Sequence, residues 1–158
     1  MFAITGITGQ VGGEVARNLL AARQTVRGVV RDVGKGKAWA ERGCELVAAD
    51  INDAAALTTA FEGVDGVFVL VPPNFDPSPD FQEARKIAAT LSRALDAARP
   101  GRVVYLSTLG AQATRSNLLS NIRSSSKRSE ICRCQSRLCG QHGSWRILAG
   151  TSPRPRTA

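Results

Sequence analysis

The chain has 158 residues, a net charge of +8 and 43% hydrophobic residues. That length allows one domain whose core needs neither disulfides nor a metal. The sequence contains no run of about 18 apolar residues, which excludes a candidate membrane span. The opening segment MFAIT meets glycines too early to be the apolar part of a secretory signal, so we expect a cytosolic protein.

The positive charge is concentrated near the carboxyl end. Seven arginines, Lys127 and one acid, Glu130, give residues 121–158 a net charge of +7, which leaves +1 for residues 1–120. This abrupt change predicts a boundary between a first domain of residues 1–120 and a basic tail of residues 121–158. Because the first domain is almost neutral, a nucleic-acid partner is not expected for the fold. The oligomeric state cannot be read from the sequence.

Apolar runs and stretches of helical spacing alternate through the first domain. Strands are predicted at residues 2–5, 25–30, 44–50, 66–71 and 102–108. Helical patterns cover residues 11–20, 34–42, 53–61 and 81–98. Four prolines mark residues 72–79 as a loop, and Asn52 or Asp53 could cap the third helix.

This alternation has short turns and no hairpin signal, which predicts an α/β fold with a parallel sheet covered by helices on both faces. Right-handed crossovers then favour a Rossmann-like, doubly wound sheet with strand order 3-2-1-4-5. An irregular carboxyl-terminal tail follows it. Cys44 lies where a small buried hydrophobic residue would fit.

Three glycines separate the first predicted strand from the first predicted helix. Gly6 suits the tight turn out of the strand, Gly9 lets the backbone approach a pyrophosphate, and Gly12 lets the helix pack close to the sheet. The helix N-terminus would direct N–H groups and partial positive charge at the phosphates. A glycine-rich turn without a ligand is the alternative.

The motifs TGITGQVGG, VVRD, AADI, VLVPP and YLSTLGAQ follow the five predicted strands in turn. As a set they resemble an NmrA-like protein, a member of the atypical short-chain dehydrogenases/reductases. The resemblance covers residues 1 to about 120. It implies one of two functions, because the family includes NAD(P)H-dependent quinone oxidoreductases and redox-sensing regulators.

The candidate cofactor site collects the ends of the predicted strands. The resemblance places Asp50 and Ile51 beside the adenine, and Val71 and Pro72 along the cofactor. Ser107 could contact the nicotinamide ribose or merely satisfy backbone groups in a turn. The complete expected set of cofactor-binding residues is Gly6, Thr8, Gly9, Gln10, Val11, Gly12, Arg31, Asp50, Ile51, Val71, Pro72 and Ser107.

The choice of cofactor depends on the end of the second strand. An acidic side chain there would bind the adenosine ribose, whereas an arginine would pair with a 2′-phosphate. The chain offers Arg31 and then Asp32, with Lys35 and Lys37 nearby, which favours NADP (NADPH) over NAD. Each lysine alone is more simply a solvated loop charge. Asp50 has its own alternative, as a cap of the helix that follows.

No catalytic acid or base can be assigned. Short-chain reductases pair a tyrosine with a lysine four residues later, but the single tyrosine, Tyr105, lies in a predicted strand and is followed four residues on by Leu109. Tyr105 is therefore expected to pack. Direct hydride transfer to a quinone-like or carbonyl acceptor needs little more than a positioned nicotinamide and a shaped pocket. A non-catalytic, dinucleotide-sensing regulator of the NmrA type is the alternative.

The tail lacks sustained helical or strand periodicity. The resemblance implies a sixth strand and a substrate lobe here, so we expect the chain to be truncated, and a reading-frame shift near Asn121 would explain the Arg- and Ser-rich composition. A disordered segment is the simplest expectation. Cys132, Cys134, Cys139 and His142 are zinc-ligand types, but their spacing is not a common zinc pattern and no metal site is predicted.

Overall fold

Strands and helices alternate along the chain in the computed structural model, which describes residues 1–72, 78 and 82–106. The strands are β1 (Phe2–Thr5), β2 (Val26–Val30), β3 (Glu45–Ala48), β4 (Gly66–Val69) and β5 (Val103–Tyr105). The helices are α1 (Gln10–Ala21), α2 (Val33–Ala40), α3 (Ala54–Phe61) and α4 (Gln82–Ala98).

The five strands form one parallel sheet in the order β3-β2-β1-β4-β5. This confirms the predicted Rossmann-like arrangement. β1 lies at the centre, where Ile4 is in register with Gly28 of β2 and with Phe68 of β4. The chain crosses from one side of β1 to the other after β3, so the junction of β1 and β4 is the topological switch point.

Three strands end earlier than the sequence pattern predicts: β3, β4 and also β5, which ends at Tyr105 although the prediction ran to residue 108. β3 ends at Ala48 rather than at residue 50, because the Asp50 carboxylate accepts the backbone N–H of Asn52 and turns the chain away from the sheet. β4 ends at Val69 rather than at residue 71, because the N–H of Leu70 donates to the side-chain hydroxyl of Thr5 in β1 instead of to a backbone carbonyl of that strand. Hydrophobicity continued past both turns, so it could not mark the strand ends.

The sheet separates two hydrophobic clusters. Ala3 faces the cluster that includes Phe61 of α3 and Leu91 of α4, whereas the next residue, Ile4, faces the cluster that lies beneath α1 and α2. This alternation follows from the two-residue period of a strand. Cys44 is buried in the second cluster, as expected, and burial raises the pKa of its thiol.

The helix ends show where side chains and backbone replace missing helical bonds. Asp53, rather than Asn52, caps α3, since its carboxylate accepts the N–H groups of Ala55 and Ala56 at 2.9 and 3.1 Å. After α1, Arg23 adopts a left-handed φ of 56°, and its N–H donates to the carbonyl of Leu20.

Several predictions fall on residues outside the described part of the chain. These are Ser107, most of the 72–79 loop, and the whole of residues 121–158 with their cysteines and His142. Among the helices that the structure describes, none is both long and apolar enough to cross a bilayer. Within residues 1–72, 78 and 82–106, no group of three or more His, Cys, Asp or Glu side chains is placed to hold a metal ion.

Candidate functional site

The glycine turn leads from the centre of the sheet into α1. Gly6 leaves β1 with a left-handed φ of 68°, a conformation that favours glycine. Gly9 then serves as the N-cap of α1, and its N–H donates to the Gly6 carbonyl at 3.0 Å. Among the described residues no side chain caps this helix, so its first-turn N–H groups are suited to an external acceptor.

Gly12 fixes the distance between α1 and this turn. A Cβ on Gly12 would lie 2.2 Å from the carbonyl oxygen and 2.7 Å from the carbonyl carbon of Gly6. Both atoms belong to the backbone, so a side chain at Gly12 could not be accommodated without displacing the helix. The glycine turn and the start of α1 thus form a cradle, with Thr8, Gly9, Gln10 and Val11 exposed around it.

Thr5 supports the cradle from the β4 side. Its hydroxyl oxygen accepts the Leu70 N–H at 2.7 Å and lies 3.3 Å from the carbonyl oxygens of Phe68 and Leu70. Leu70 in turn lies over Gly6, where a Cβ would meet its Cδ2 at 3.3 Å. The sequence analysis missed this contact. Its one signal is a hydroxyl-bearing, β-branched residue at the last position of an otherwise apolar strand.

Val71 and Pro72 follow β4 at the same edge of the sheet. Val71 is half-buried and packs against the first hydrophobic cluster, while Pro72 is exposed. On the far side of β4, the Leu106 N–H donates to the Val69 carbonyl at 2.9 Å and extends the pairing just beyond β5. The structure thus places Val71 and Pro72 at the switch-point edge as expected.

The two candidates for adenosine recognition after β2 differ in their environment. The Asp32 carboxylate caps α2 by accepting the Gly34 N–H at 2.8 Å, and the Asp32 and Arg31 side chains are both exposed. Lys35 and Lys37 are also exposed, but Lys37 belongs to the last turn of α2 and Lys35 to its beginning. Asp32 thus serves as a helix cap, and Lys35 is the lysine nearer to Arg31 in the sequence.

Asp50 and Ile51 lie beside Arg31 at the ends of adjacent strands, because the Ala49 N–H donates to the Val30 carbonyl at 2.9 Å. The Asp50 carboxylate accepts the backbone N–H and the side-chain amide of Asn52 at 2.8 and 2.9 Å. These bonds, and more weakly the charge of Arg31, lower the pKa of Asp50. The alternative of Asp50 as the cap of α3 is wrong, since Asp53 has that role.

The structure therefore brings eleven of the twelve expected residues to the carboxyl edge of the sheet, and the twelfth, Ser107, lies outside the described residues. Tyr105 is half-buried in β5 and packs against the first hydrophobic cluster, as expected for a packing residue. In the sequence, Leu109 stands four residues after Tyr105, where short-chain reductases have a lysine.

Comparison with known proteins agrees with this geometry. Residues 6–131 match a protein family described as NAD(P)H-binding, and the match extends past the predicted boundary near residue 120. The chain is 38% identical over 72 residues to the NAD(P)H azoreductase of Xenophilus azovorans, covering 46% of this chain and 25% of the relative. It is 41% identical over 73 residues to quinone oxidoreductase 2 of Escherichia coli, covering 44% of this chain and 25% of the relative.

Solved structures show the same fold. A Citrobacter sp. triphenylmethane reductase complexed with NADP(H) gives a TM-score of 0.70 at 26% identity, covering 85% of this chain and 46% of that one. The E. coli NADPH-dependent quinone oxidoreductase complexed with NADPH gives a TM-score of 0.70 at 27% identity, covering 85% of this chain and 45% of that one. The chain spans about a quarter of the length of the two curated relatives and under half of these solved chains. The family match covers most of the chain, and the protein therefore belongs to the NAD(P)H-binding family, as its NmrA-like, atypical short-chain dehydrogenase/reductase motifs implied.

Proposed function

We propose that the chain binds NADPH along the carboxyl edge of its sheet and serves as the cofactor-binding part of a reductase for quinone-like or carbonyl acceptors. The contact between Gly12 and the Gly6 carbonyl carries this proposal, because it forms a cradle at the switch point that only glycine permits. Its support includes relatives whose names describe an NAD(P)H azoreductase and a quinone oxidoreductase.

In this proposal the pyrophosphate lies at the N-terminus of α1. The backbone N–H groups of Gln10 and Val11 are in the first turn, where helical N–H groups have no partner within the helix. Gly9 is exposed and has no side chain, so a phosphate can approach its backbone closely. The helix dipole adds favourable interaction with the negative phosphates.

We assign the preference for NADPH over NADH to Arg31. Its guanidinium can pair with a 2′-phosphate through two charge-assisted hydrogen bonds. Asp32, the acid that would otherwise receive the ribose hydroxyl, is already an acceptor for the Gly34 N–H. Asp50 lies at the end of the adjacent strand, where two hydrogen bonds from Asn52 and, more weakly, the charge of Arg31 lower the pKa of its carboxyl.

Val71, Pro72 and Ser107 are assigned to the nicotinamide half. They follow the strands on the other side of the switch point from Arg31, so a dinucleotide extended across the cradle would reach them. When bound, the reduced nicotinamide supplies the hydride. The chain's own part in this proposal is to hold and orient the cofactor.

The decisive experiment is a pair of binding titrations, NADPH against NADH, on the wild type and on Arg31→Ala. One charge-assisted contact contributes about 1.5–3 kcal/mol, so we expect NADPH affinity to fall by about 10- to 100-fold. NADH affinity should stay within about twofold. Arg93→Ala, which removes an exposed arginine from α4, is the matched control and should leave both affinities unchanged. An equal loss for both cofactors in Arg31→Ala would contradict the assignment.

Activity is tested by NADPH oxidation with a panel of quinones and aldehydes. The regulatory alternative is favoured by one observation, the lack of a lysine four residues after Tyr105. Turnover with any acceptor supports the reductase, whereas tight NADPH binding without turnover supports a dinucleotide-sensing protein. A cytosolic location remains a prediction from the sequence.

A further inference from the structure

Trp39 of α2 lies directly against the first turn of α1. A Cβ on Gly13 would meet the indole Cζ2 at 3.1 Å and Cη2 at 3.7 Å, and the Ile7 carbonyl oxygen at 3.2 Å. The ring therefore contacts the helix backbone at the residue after Gly12. No sequence motif indicated this contact, because it joins residues that are 26 positions apart.

The indole is held in a fixed orientation. The guanidinium carbons of Arg17 and Arg42 lie 6.0 and 5.1 Å from the ring centroid, within the range of cation–π attraction. Arg17 is itself fixed by Glu14, whose carboxylate accepts two hydrogen bonds at 2.9 and 2.6 Å. At the end of α2, the Trp39 carbonyl accepts the Cys44 N–H at 3.0 Å. Both the ring and the backbone of Trp39 are thus anchored.

The start of α1 is consequently held from two sides. Gly12 packs closely against the Gly6 carbonyl, and Gly13 packs against the Trp39 ring and the Ile7 carbonyl. This support matters because, among the described residues, no side chain caps α1. A half-angstrom movement of an uncapped first turn would change the direction of the N–H groups offered to a phosphate.

We propose that Trp39 is a positioning residue for pyrophosphate binding, acting through Gly13 on the first-turn N–H groups of α1. The proposal rests on the function proposed above, in which these groups bind the cofactor. Trp39 packs against the second hydrophobic cluster as well, so a purely structural role has to be separated from positioning.

The two roles predict different binding behaviour. A structural residue lowers the free energy of unfolding, but the folded protein binds as before. A positioning residue weakens every ligand that carries the pyrophosphate, by the same factor for NADPH and NADH, and spares a ligand without it. Adenosine 2′-monophosphate is such a ligand, because it carries adenosine and the 2′-phosphate alone.

The experiment compares Trp39→Leu and Trp39→Phe with Val26→Ala. Val26 belongs to the same hydrophobic cluster but lies at the opposite end of β2, paired with Phe2. Unfolding curves first establish that each variant is folded in the absence of denaturant. Each folded variant is then titrated with NADPH, NADH and adenosine 2′-monophosphate. For Trp39→Leu we expect about tenfold weaker binding of NADPH and NADH, which corresponds to about 1.4 kcal/mol, and less than a twofold change for adenosine 2′-monophosphate. The affinity of Trp39→Phe for NADPH and NADH should lie between those of the wild type and Trp39→Leu, and Val26→Ala should bind all three ligands like the wild type.

Gly13→Ala gives a second, independent measurement. In the wild type the added methyl group meets both the indole and the Ile7 carbonyl oxygen and should weaken NADPH binding, whereas in Trp39→Leu only the contact with the Ile7 carbonyl remains and the same substitution should weaken binding less. This difference between the two backgrounds would support the contact as the source of the effect. Should Trp39→Leu fail to fold, Trp39→Phe with and without Gly13→Ala tests the same coupling.

The outcomes that overturn the proposal are distinct from those that overturn the proposed function. If wild type binds neither NADPH nor NADH, the proposed function fails. If wild type binds but the Trp39 variants bind as tightly as Val26→Ala, Trp39 is structural only. A loss for adenosine 2′-monophosphate as large as that for NADPH would mean a general loosening of the domain and would equally overturn the positioning role.

Discussion

Gly12→Ala tests the close approach between α1 and the glycine turn. The added Cβ would lie 2.2 Å from the Gly6 carbonyl oxygen, about 0.8 Å closer than the 3.0 Å below which real Cβ contacts essentially never occur. The obstructing atoms are backbone atoms of a turn that is itself fixed, because Leu70 lies over Gly6. Relief therefore requires α1 to move outward.

Two opposing energies set the size of the effect. Alanine is favoured over glycine within a helix by about 1 kcal/mol. Overpacking of a tight contact costs about 1–3 kcal/mol, and the overlap with backbone places this site at the upper end. We therefore expect Gly12→Ala to lower the free energy of unfolding by about 2 kcal/mol.

The same displacement should impair cofactor binding. Movement of the first turn of α1 would misalign its N–H groups with the phosphates, and one hydrogen bond to a charged group contributes about 1.5–3 kcal/mol. We expect NADPH affinity to fall by at least about tenfold in protein that is still folded. Urea denaturation gives the stability, and calorimetric titration with NADPH gives the affinity.

Gly9→Ala is the matched comparison. Its Cβ would lie 3.3 Å from the Gly6 oxygen, and the backbone at Gly9 has an ordinary φ of −87°. Stability should therefore change by less than about 0.5 kcal/mol. NADPH binding should still weaken, because the methyl group would occupy the mouth of the cradle. Gly12→Ala with wild-type stability and wild-type affinity would refute the reasoning about close approach.

Three further predictions concern the described part of the chain. Arg23→Gly should raise the free energy of unfolding by about 1 kcal/mol in chemical denaturation, because Arg23 holds a left-handed φ of 56°; a decrease would contradict this. Thr5→Val should lower the free energy of unfolding by about 1–3 kcal/mol, because the Leu70 N–H loses its acceptor, and Thr5→Ser, which keeps the hydroxyl, should lower it clearly less. Asn52→Ala removes the hydrogen bond from the side-chain amide and should raise the pKa of the Asp50 carboxyl toward its usual value in an NMR titration. An unchanged pKa would contradict this prediction. Because folding lowers the pKa of Asp50, its contribution to the free energy of unfolding is present above the unfolded-state pKa and is lost as pH falls through the folded-state pKa. The loss of stability on acidification should therefore be smaller in Asn52→Ala.

The order of the strands was predictable because the pattern is redundant. Residues 66–71 carry no polar side chain, as expected of a strand covered on both faces, and each of the first four strands is followed by a helical segment long enough for a right-handed crossover. The role of Gly12 was equally accessible, since its position between strand and helix implies close packing. Local sequence contains all that these inferences need.

The contacts that refine the site were less accessible. The sequence favours Arg31 over Asp32 and leaves Asp50 open as a helix cap, and only the structure shows that the Asp32 and Asp50 carboxylates accept the Gly34 and Asn52 N–H groups. The contact between Trp39 and Gly13 depends on how α2 lies against α1. Such details arise from packing between elements, for which a single sequence carries no periodic signal.

The pairing of β1 with β4 has a kinetic consequence. Crossovers through α1 and α2 join β1, β2 and β3 over short stretches of chain, whereas Ile4 and Phe68 meet only after an intervening segment of more than 60 residues has been placed. Loop-closure entropy makes such distant pairings slow relative to local ones. Because Thr5 and Leu70 complete the cradle only when β4 has docked, the gain of NADPH binding during refolding would follow the long-range step, and it would lag behind the appearance of helix.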